Sequence, residues 1–260
     1  MGALPPNPRR SAGMNPATLP HYVAGIALYA MNIVYHKVMH MNIFDIIGPI
    51  MIGPSSSHTA GAVRMGRVAW KILGEKAVKA NIGLVGSFAM TYKGHGTDKA
   101  LIAGILGMKP DDERISNSLE LAAESGLVYE FSHKKIPNAH PNTAILELVG
   151  EHGAECTVEG VSIGGGNIQI TKLNGMDAAF SGSTPTLIIA HHDRPGAVAA
   201  VTGMLSHFGV NIGSFRLSRT YKNQLAIMTI ELDSGIEKAV VQVLRQLKEI
   251  ISVVYMHPGS

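Results

Sequence analysis

The chain has 260 residues, of which 46% are hydrophobic and 16% charged, and its formal net charge is +3. It is long enough for one large or two ordinary domains with buried cores. The small charge, the lack of a Lys/Arg block and an aromatic content of only 5% argue against nucleic acid as a partner. The single cysteine, Cys156, allows no internal disulfide and cannot hold an iron–sulfur cluster alone, so we expect a reducing, cytoplasmic location.

The N-terminal region differs in pattern from the rest of the chain. Residues 1–20 contain five prolines and little apolar periodicity. We therefore predict that residues 1–40 are a disordered or non-native extension and that Met41 is the natural start. The apolar run at 22–35 is too short to span a membrane, so we expect no membrane partner. The histidines are not spaced in a way that would bring several of them together on one face, so we expect no metal site.

The stretch MIGPSSSHTAGAVRMG, residues 51–66, places three serines and a histidine where a helix is predicted to begin. Gly53 and Pro54 end the preceding segment, and apolar residues at helical spacing follow Thr59. One serine suffices as an N-cap, so the other hydroxyls and the free N–H groups of the helix start are suited to an anion. His58 can move a proton near neutral pH. The alternative is a polar turn with one cap.

A mixed α/β pattern continues to about residue 183. It predicts a buried strand at 81–91, helices at 98–107 and 114–126, and strands at 127–133, 143–150 and 155–175. The last segment is predicted to be a pair of strands hinged at Gly164–Gly166. Residues 180–186 are the predicted linker.

The C-terminal part has a clearer pattern, with strands and helices in the order βαββαβ. This order predicts a ferredoxin-like unit of about seventy residues whose helices cover one face of the sheet. In the third strand, Leu225 and Ile227 alternate with Ala226 and Met228, so both faces are apolar. We therefore expect the second face to be buried by pairing with another such domain, and Leu225 and Ile227 to be partly exposed in a monomer.

The segment HHDRPGAVAAVTGMLSHFGVNIGSFRLSR, residues 191–219, resembles an ACT domain, a small regulatory module that commonly binds amino acids. N–H groups near Asp193 and Gly196 can meet a carboxylate, and Asp193 or Asn211 can meet an ammonium. The residues of the regulatory site implied by the resemblance are His192, Asp193, Gly196, Asn211 and Ile212. The alternative is a ferredoxin-like dimer module with an empty ligand loop.

Four upstream motifs, in family order, resemble the beta chain of bacterial iron–sulfur-dependent L-serine dehydratase. They are FDIIGPIMIGPSSSHTAG (44–61), GSFAMTYKGHGTD (86–98), HPNTA (140–144) and GVSIGGGNI (160–168). The resemblance implies an α+β protein of two domains. Residues 41–183 would form a mixed α/β serine-binding domain like allosteric substrate-binding domains, and residues 185–260 an ACT regulatory domain.

The resemblance also implies an activity. The family eliminates water from L-serine, and the product then hydrolyses to pyruvate and ammonia. A 4Fe–4S cluster would polarise the leaving hydroxyl, and a base would take the Cα proton. Because the cysteine-rich chain is missing here, the resemblance implies that a cysteine-containing alpha chain holds the cluster, that this chain binds none, and that it is inactive alone. We expect self-association through the ACT domain.

We expect the loops that carry three polar clusters to lie close together on one face of the protein. His58 is the candidate catalytic residue, although the partner chain could supply the base. The candidate substrate-binding residues are Ser55, Ser56, Ser57 and Thr59, then Lys93, His95, Thr97 and Asp98, and finally His140 and Asn142.

Each cluster also has a structural interpretation. Lys93 and His95 would lie in an exposed turn, Asp98 would cap a helix, and His140-Pro141-Asn142 would be a plain turn. The rival function is a non-catalytic amino-acid-binding module that controls a partner enzyme. A phosphate-binding P-loop is disfavoured because its Gly-Lys-Ser/Thr ending is absent.

Overall fold

The computed structural model describes residue 53 and residues 55–221 and 224–258. The predicted N-terminal extension lies outside these residues, and so do residues 222–223 between two of the predicted C-terminal strands. In the described ranges, no helix is long and apolar enough to cross a membrane.

The chain enters a helix at the serine cluster, as predicted. A π-helical turn, Ser56–Ala60, runs directly into helix α1, Gly61–Leu73. Its apolar residues recur at helical spacing and are buried, whereas its basic residues lie on a second stripe. Gly74, with a left-handed φ of 78°, ends the helix.

A mixed sheet forms the first part of the described structure. Its strands are β1 Ala77–Leu84, β2 Val128–His133, β3 Thr143–Gly150, β4 Glu155–Gly164, β5 Asn167–Leu173 and β6 Met176–Phe180. The accompanying helices are α2 Gly86–Thr91, α3 Thr97–Ile105 and α4 Ser118–Glu124, the last preceded by a 3-10 turn, Glu113–Asn117. The strand order is β2-β1-β3-β4-β5-β6, in which β1 and β2 are parallel and all other neighbours antiparallel.

Three local predictions differ from the structure. The strand predicted at 81–91 ends at Leu84, and α2 follows it. A short apolar run fits a strand and a buried helix equally well, and tertiary burial of Phe88 and Ala89 favours the helix. The helix predicted at 114–126 divides into the 3-10 turn and α4. The pattern also misses β6, which lies just before the predicted linker.

Helices α1 and α3 are in direct backbone contact. A Cβ atom at Gly104 would lie 2.2 Å from the carbonyl oxygen of Val63, and one at Gly66 would lie 2.4 Å from that of Leu101. Only glycine allows this approach at either position. The contact brings the start of α3 against the serine-bearing turn before α1.

A second, antiparallel sheet follows and confirms the predicted βαββαβ order. Its elements are β7 Thr186–His192, α5 Ala197–His207, β8 Ile212–Arg219, β9 Leu225–Leu232, α6 Lys238–Arg245 and β10 Ile250–Met256. The strand order is β10-β7-β9-β8. The face under the helices is a separate apolar core built by Leu187, Ile189, Val201, Leu205, Met228, Ile230 and Leu244.

The other face of the second sheet packs within the same chain, which corrects one expectation. Ile188, Ile227 and Met256 belong to the apolar core of the first sheet, and Ile227 is only 5% exposed. Strand β6 contacts β8 and β9 there. Leu225, at 42% exposure, is the residue of the predicted pair that does reach solvent. The apolar second face is therefore buried mainly against the first sheet of the same chain rather than left for a second copy.

Candidate functional site

The serine cluster is organised by its own hydrogen bonds. Ser55 has extended backbone dihedrals and is the N-cap, because its Oγ accepts a bond from the N–H of His58 at 3.2 Å. The N–H of Thr59 donates to the Ser55 carbonyl at 2.8 Å. Ser57 Oγ lies 3.3 Å from Ser55 Oγ. One hydroxyl thus serves as the cap, and the Ser57 hydroxyl lies beside the His58 ring.

His58 has a hydroxyl at each ring nitrogen. Its Nδ1 lies 3.1 Å from Ser57 Oγ and 3.4 Å from Ser55 Oγ, and its Nε2 lies 3.1 Å from Ser87 Oγ. The ring meets the ring of Phe88 edge-on at 5.2 Å and that of His95 at 4.8 Å. His58 is 8% exposed. These contacts fix both the position and the rotation of the imidazole.

Burial lowers the pKa of His58 below its usual value, and the neighbouring His95 lowers it further. The charged imidazolium would lose hydration and would be repelled by a second positive ring. His58 is therefore neutral at neutral pH, with one nitrogen as donor and the other as acceptor. A fixed neutral imidazole of this kind can accept a proton from a bound molecule.

The second cluster reaches His58 through the start of α2. Gly86 has a φ of +56°, and a Cβ atom there would lie 2.7 Å from Pro141 Cα. This tight junction turns Ser87 towards Nε2 of His58. Farther along, the Thr59 hydroxyl donates to the carbonyl of His95 at 3.4 Å. The structure thus brings the first two predicted clusters together.

The remaining residues of the second cluster have different environments. Lys93 is exposed, with its Nζ 5.8 Å from the centre of the Tyr92 ring. Thr97 is fully buried, and its hydroxyl has no hydrogen-bond partner among the described residues. Asp98 lies inside α3 and accepts a bond from the N–H of Lys99 at 2.8 Å, but the N-cap of α3 is Gly96, so the structural interpretation of Asp98 as a helix cap is wrong.

The third cluster lies in a loop that contacts the start of α2. His140 Nδ1 accepts a bond from the N–H of Asn142 at 3.1 Å, and the Asn142 amide donates to the Ser162 carbonyl at 3.4 Å. Pro141 accepts a bond from the N–H of Phe88 at 3.2 Å. These contacts tie the loop to the start of α2, and both side chains have partners close to their own loop.

Sequence reasoning missed Ser87, which makes a direct contact with His58. The predicted strand at 81–91 placed Ser87 inside a buried strand, where it has no role. The available signal was a Gly-Ser pair directly after an apolar strand, a common start for a helix. The same predicted strand includes Phe88, whose ring meets that of His58 edge-on in the structure.

The predicted regulatory residues lie at two ends of the second sheet. His192 ends β7, Asp193 and Gly196 lie between β7 and α5, and Arg219 donates to the Asp193 carboxylate at 2.7 Å. Asn211 and Ile212 lie at the opposite end, where Asn211 bonds to Asp233 and Ile212 pairs with Leu232. One chain does not bring the two sets together.

Comparisons with known proteins identify the family. Over 214 residues the chain is 44% identical to the probable L-serine dehydratase beta chain of Bacillus subtilis (strain 168), covering 82% of this chain and 97% of that protein. The chain belongs to the L-serine dehydratase beta-chain family. It is also 39% identical over 197 residues to the L-serine dehydratase beta chain of Peptoniphilus asaccharolyticus, covering 75% of this chain and 89% of that one.

Two family profiles match separate parts of the chain. The serine dehydratase beta chain profile matches residues 42–126, which include the serine cluster and the second cluster. The profile of the ACT domain like that of the AHAS small subunit matches residues 187–255, which include the whole second sheet. The expected family and the expected ACT domain are therefore confirmed.

Serine dehydratases of this family are generally iron–sulfur dependent, and a cluster requires suitable ligands. The single cysteine, Cys156, is 5% exposed, and its Sγ donates to the Ala69 carbonyl at 3.6 Å. Burial raises the pKa of this thiol to about 12. Among the described residues, no group of three or more His, Cys, Asp or Glu side chains is placed to hold a metal ion. The residues of this chain do not fit a cluster, whose ligands are several thiolates.

Proposed function

We propose that the chain is the beta subunit of a two-chain L-serine dehydratase that converts L-serine to pyruvate and ammonia. Family membership carries this proposal. Because the lone Cys156 is buried with a raised pKa, we assign the iron–sulfur cluster to a cysteine-containing alpha chain. We assign the enzyme to the reducing cytoplasm, because its single cysteine allows no internal disulfide.

In this proposal His58 exchanges a proton with the bound substrate. The supporting observation is a buried, neutral imidazole held between Ser57 and Ser87. A neutral imidazole with a lowered pKa accepts a proton at neutral pH and releases it readily. The His95 ring, 4.8 Å away, opposes a lasting positive charge on His58.

The hydroxyl groups around His58 would bind the substrate carboxylate. Ser56 and Ser57 lie at the start of a continuous helical segment, whose N–H groups carry partial positive charge. The Ser57 and Ser87 hydroxyls add donors on both sides of the imidazole. Ser55 would shape the turn as its cap, and Thr59 would fix the loop that carries His95.

The other candidates would act around this centre. Lys93 and His95 are exposed and would lie at the rim, where Lys93 would supply positive charge. Thr97 and Asp98 begin α3 beside the turn, and the Thr97 hydroxyl still has bonding capacity. His140 and Asn142 would act as positioning residues, because their loop holds the start of α2 and so the position of Ser87.

The test is turnover of the enzyme reconstituted with an alpha chain under anaerobic conditions, measured as pyruvate formed. His58→Ala should lower turnover by at least about a hundredfold, the usual contribution of acid–base catalysis. His207→Gln, an exposed histidine on α5, is the matched control and should retain wild-type turnover. A fall of well under tenfold for His58→Ala would favour the rival, a non-catalytic amino-acid-binding module.

We also propose that the ACT domain binds an amino acid and pairs with a second copy. Arg219 and Asp193 present opposite charges 2.7 Å apart beside the start of α5, which complements the two charges of an amino acid. Phe215 and Leu217 on the edge strand β8 are 39% and 43% exposed. Since the second face of the sheet is covered, side-by-side pairing through β8 is favoured over face-to-face pairing.

Size-exclusion chromatography with light scattering, with and without L-serine, tests this second proposal. We expect a dimer whose Tm rises with L-serine, and a weaker response from Asp193→Ala with the serine cluster unaltered. A monomer that does not respond to L-serine would contradict both the pairing and the sensing role.

A further inference from the structure

One motif of the sequence, GVSIGGGNI at residues 160–168, has no part in the proposed function. Its Ser162 lies in β4 and is fully buried beneath the start of α1. A Cβ atom on Gly61 would lie 2.2 Å from Ser162 Oγ and 2.9 Å from Ser162 Cβ. Gly61 has ordinary helical dihedrals, so the lack of a side chain there makes room for Ser162 rather than for an unusual backbone.

The hydroxyl of Ser162 has no hydrogen-bond partner among the described residues. The backbone groups of the same residue do have partners: its N–H donates to the Asn142 carbonyl at 3.0 Å, and its carbonyl accepts a bond from the Asn142 amide at 3.4 Å. A buried hydroxyl without a partner destabilises a fold, whereas a buried alanine of nearly the same size does not. The serine therefore has a cost in the free chain that its packing does not explain.

Such hydroxyls are concentrated around the π-helical turn Ser56–Ala60. In the described ranges, four buried side-chain polar atoms lack a partner, and two of them are Ser162 Oγ and Thr97 Oγ1. The elements that carry these two, β4 and α3, both contact the π-helical turn. Turns of this kind are rare and are frequently found at functional sites. A potential donor to the turn is thus placed beside it but is unbonded in the free chain.

The π-helical turn can change its hydrogen bonding while the elements around it stay in place. Helix α1 is tied to the end of the β4 hairpin, because Arg64 Nη1 donates to the Gly166 carbonyl at 3.0 Å. The turn itself is closed by a bond from the N–H of Gly61 to the Ser56 carbonyl, which spans five residues instead of the four of an α-helix. An exchange between these two patterns would move the carbonyl groups of the turn relative to Ser162.

We infer that Ser162 is a positioning residue for the serine cluster: when substrate binds, its hydroxyl donates to a backbone carbonyl of the π-helical turn. This bond fixes the turn in the conformation in which Ser56 and Ser57 meet the substrate carboxylate. Ser162 lies below Gly61 and does not itself touch the substrate. The inference rests on the proposed function. A bond that is made only in the bound state favours that state, so it contributes to substrate binding.

The experiment compares Ser162→Ala with wild type in two measurements. These are the Tm of the full chain, and kcat and KM for L-serine of the enzyme reconstituted with an alpha chain. We expect an equal or higher Tm, because an unpaired buried hydroxyl is removed. We expect KM to rise about tenfold with kcat within about twofold of wild type, as loss of one hydrogen bond made on binding does. A merely structural residue would lower the Tm and leave KM unchanged.

Thr229→Val is the matched control. Thr229 lies in β9 of the second sheet, is 2% exposed, and also has a buried hydroxyl without a partner in the described part of the chain. The substitution removes this hydroxyl with little change in shape. It should leave the Tm equal or higher, as Ser162→Ala does, but it should not change KM, because Thr229 belongs to the other sheet.

Three results would overturn the positioning role of Ser162 while the proposed function stands. A lower Tm for Ser162→Ala would show that the hydroxyl already has a partner in the free chain, such as a buried water. An unchanged KM for Ser162→Ala, or an equal rise in KM for Thr229→Val, would show that the hydroxyl does not act on the turn. If the wild-type reconstituted enzyme forms no pyruvate, the proposed function is wrong and this inference with it.

Discussion

Two helix starts in this chain, at α1 and at α5, carry polar residues that suit an amino acid. They differ in how far other parts of the chain enclose them. At α1, the ring of His58 is enclosed by Ser57, Ser87 and Phe88. At α5, Gly196 is exposed, and the nearby Asp193 is bonded to Arg219 at the surface. The first start is covered by another element of its own chain, whereas the second is open.

The difference shows what a helix start needs if it is to bind an anion tightly. N–H groups and hydroxyls at a helix start attract an anion only weakly when water surrounds them. A second element that excludes water strengthens the same interactions and shifts the pKa of a nearby histidine. Helix α2 does this at α1. At α5, the corresponding element would have to come from a second chain.

The largest effect on stability is expected from a comparison of two single substitutions, each at a glycine with positive φ. Gly86→Ala forces a side chain into left-handed backbone and against Pro141, so unfolding should become easier by about 2–5 kcal/mol. Gly196 has a φ of 94°, but a Cβ atom there would meet open space, so Gly196→Ala should lower the free energy of unfolding by only about 1–2 kcal/mol. Urea unfolding measures both, and equal losses would show that α2 does not enclose the α1 start tightly.

Assembly should depend on the exposed edge of the second sheet. Leu217→Glu puts a charge on the exposed apolar surface of β8, where a paired sheet would bury it. We expect a dimer to become a monomer in light scattering, and the response to L-serine to weaken. Lys238→Glu, a charge change on exposed α6, is the control and should leave the mass unchanged.

The pH dependence of stability should reveal the burial of His58. Because its pKa in the folded chain is lowered, the unfolded chain binds the proton more readily. The stabilisation is complete above the unfolded value near 6.5 and is lost as pH falls towards the lowered folded pKa. Thermal melts from pH 8 to pH 5 should therefore drop less steeply for His58→Gln than for wild type. Parallel curves would contradict a lowered pKa.

The smallest effect is expected at the α5 start. Arg219 and Asp193 form a pair whose side chains are 52% and 16% exposed, so Arg219→Ala should change unfolding by less than about 1 kcal/mol. The same variant should reduce the shift in Tm caused by L-serine if the pair recognises an amino acid. A large loss of stability would mean that the pair is structural.

Local chemistry made much of this fold predictable. The helix at the serine cluster follows from an N-cap and a 3.6-residue apolar repeat, both of which are short-range properties. Strands β2 to β5 follow from apolar patterns bounded by turn residues, and the glycines at 164–166 all adopt positive φ at the predicted hinge. The failure at 81–91 has a local cause too, since an apolar run without periodicity does not distinguish strand from helix.

By itself, the sequence determined the family, the βαββαβ order and the position of His58 at a helix start, because each depends on neighbouring residues or on motifs in order. Only the tertiary structure decided which groups surround that histidine. Ser87 lies 29 positions away and reaches His58 through the packing of Gly86 on Pro141. Likewise, Ile227 is buried by β6 and its neighbours rather than by a second copy. Apolar burial is non-directional, so a pattern shows that a face must be covered but not which element covers it.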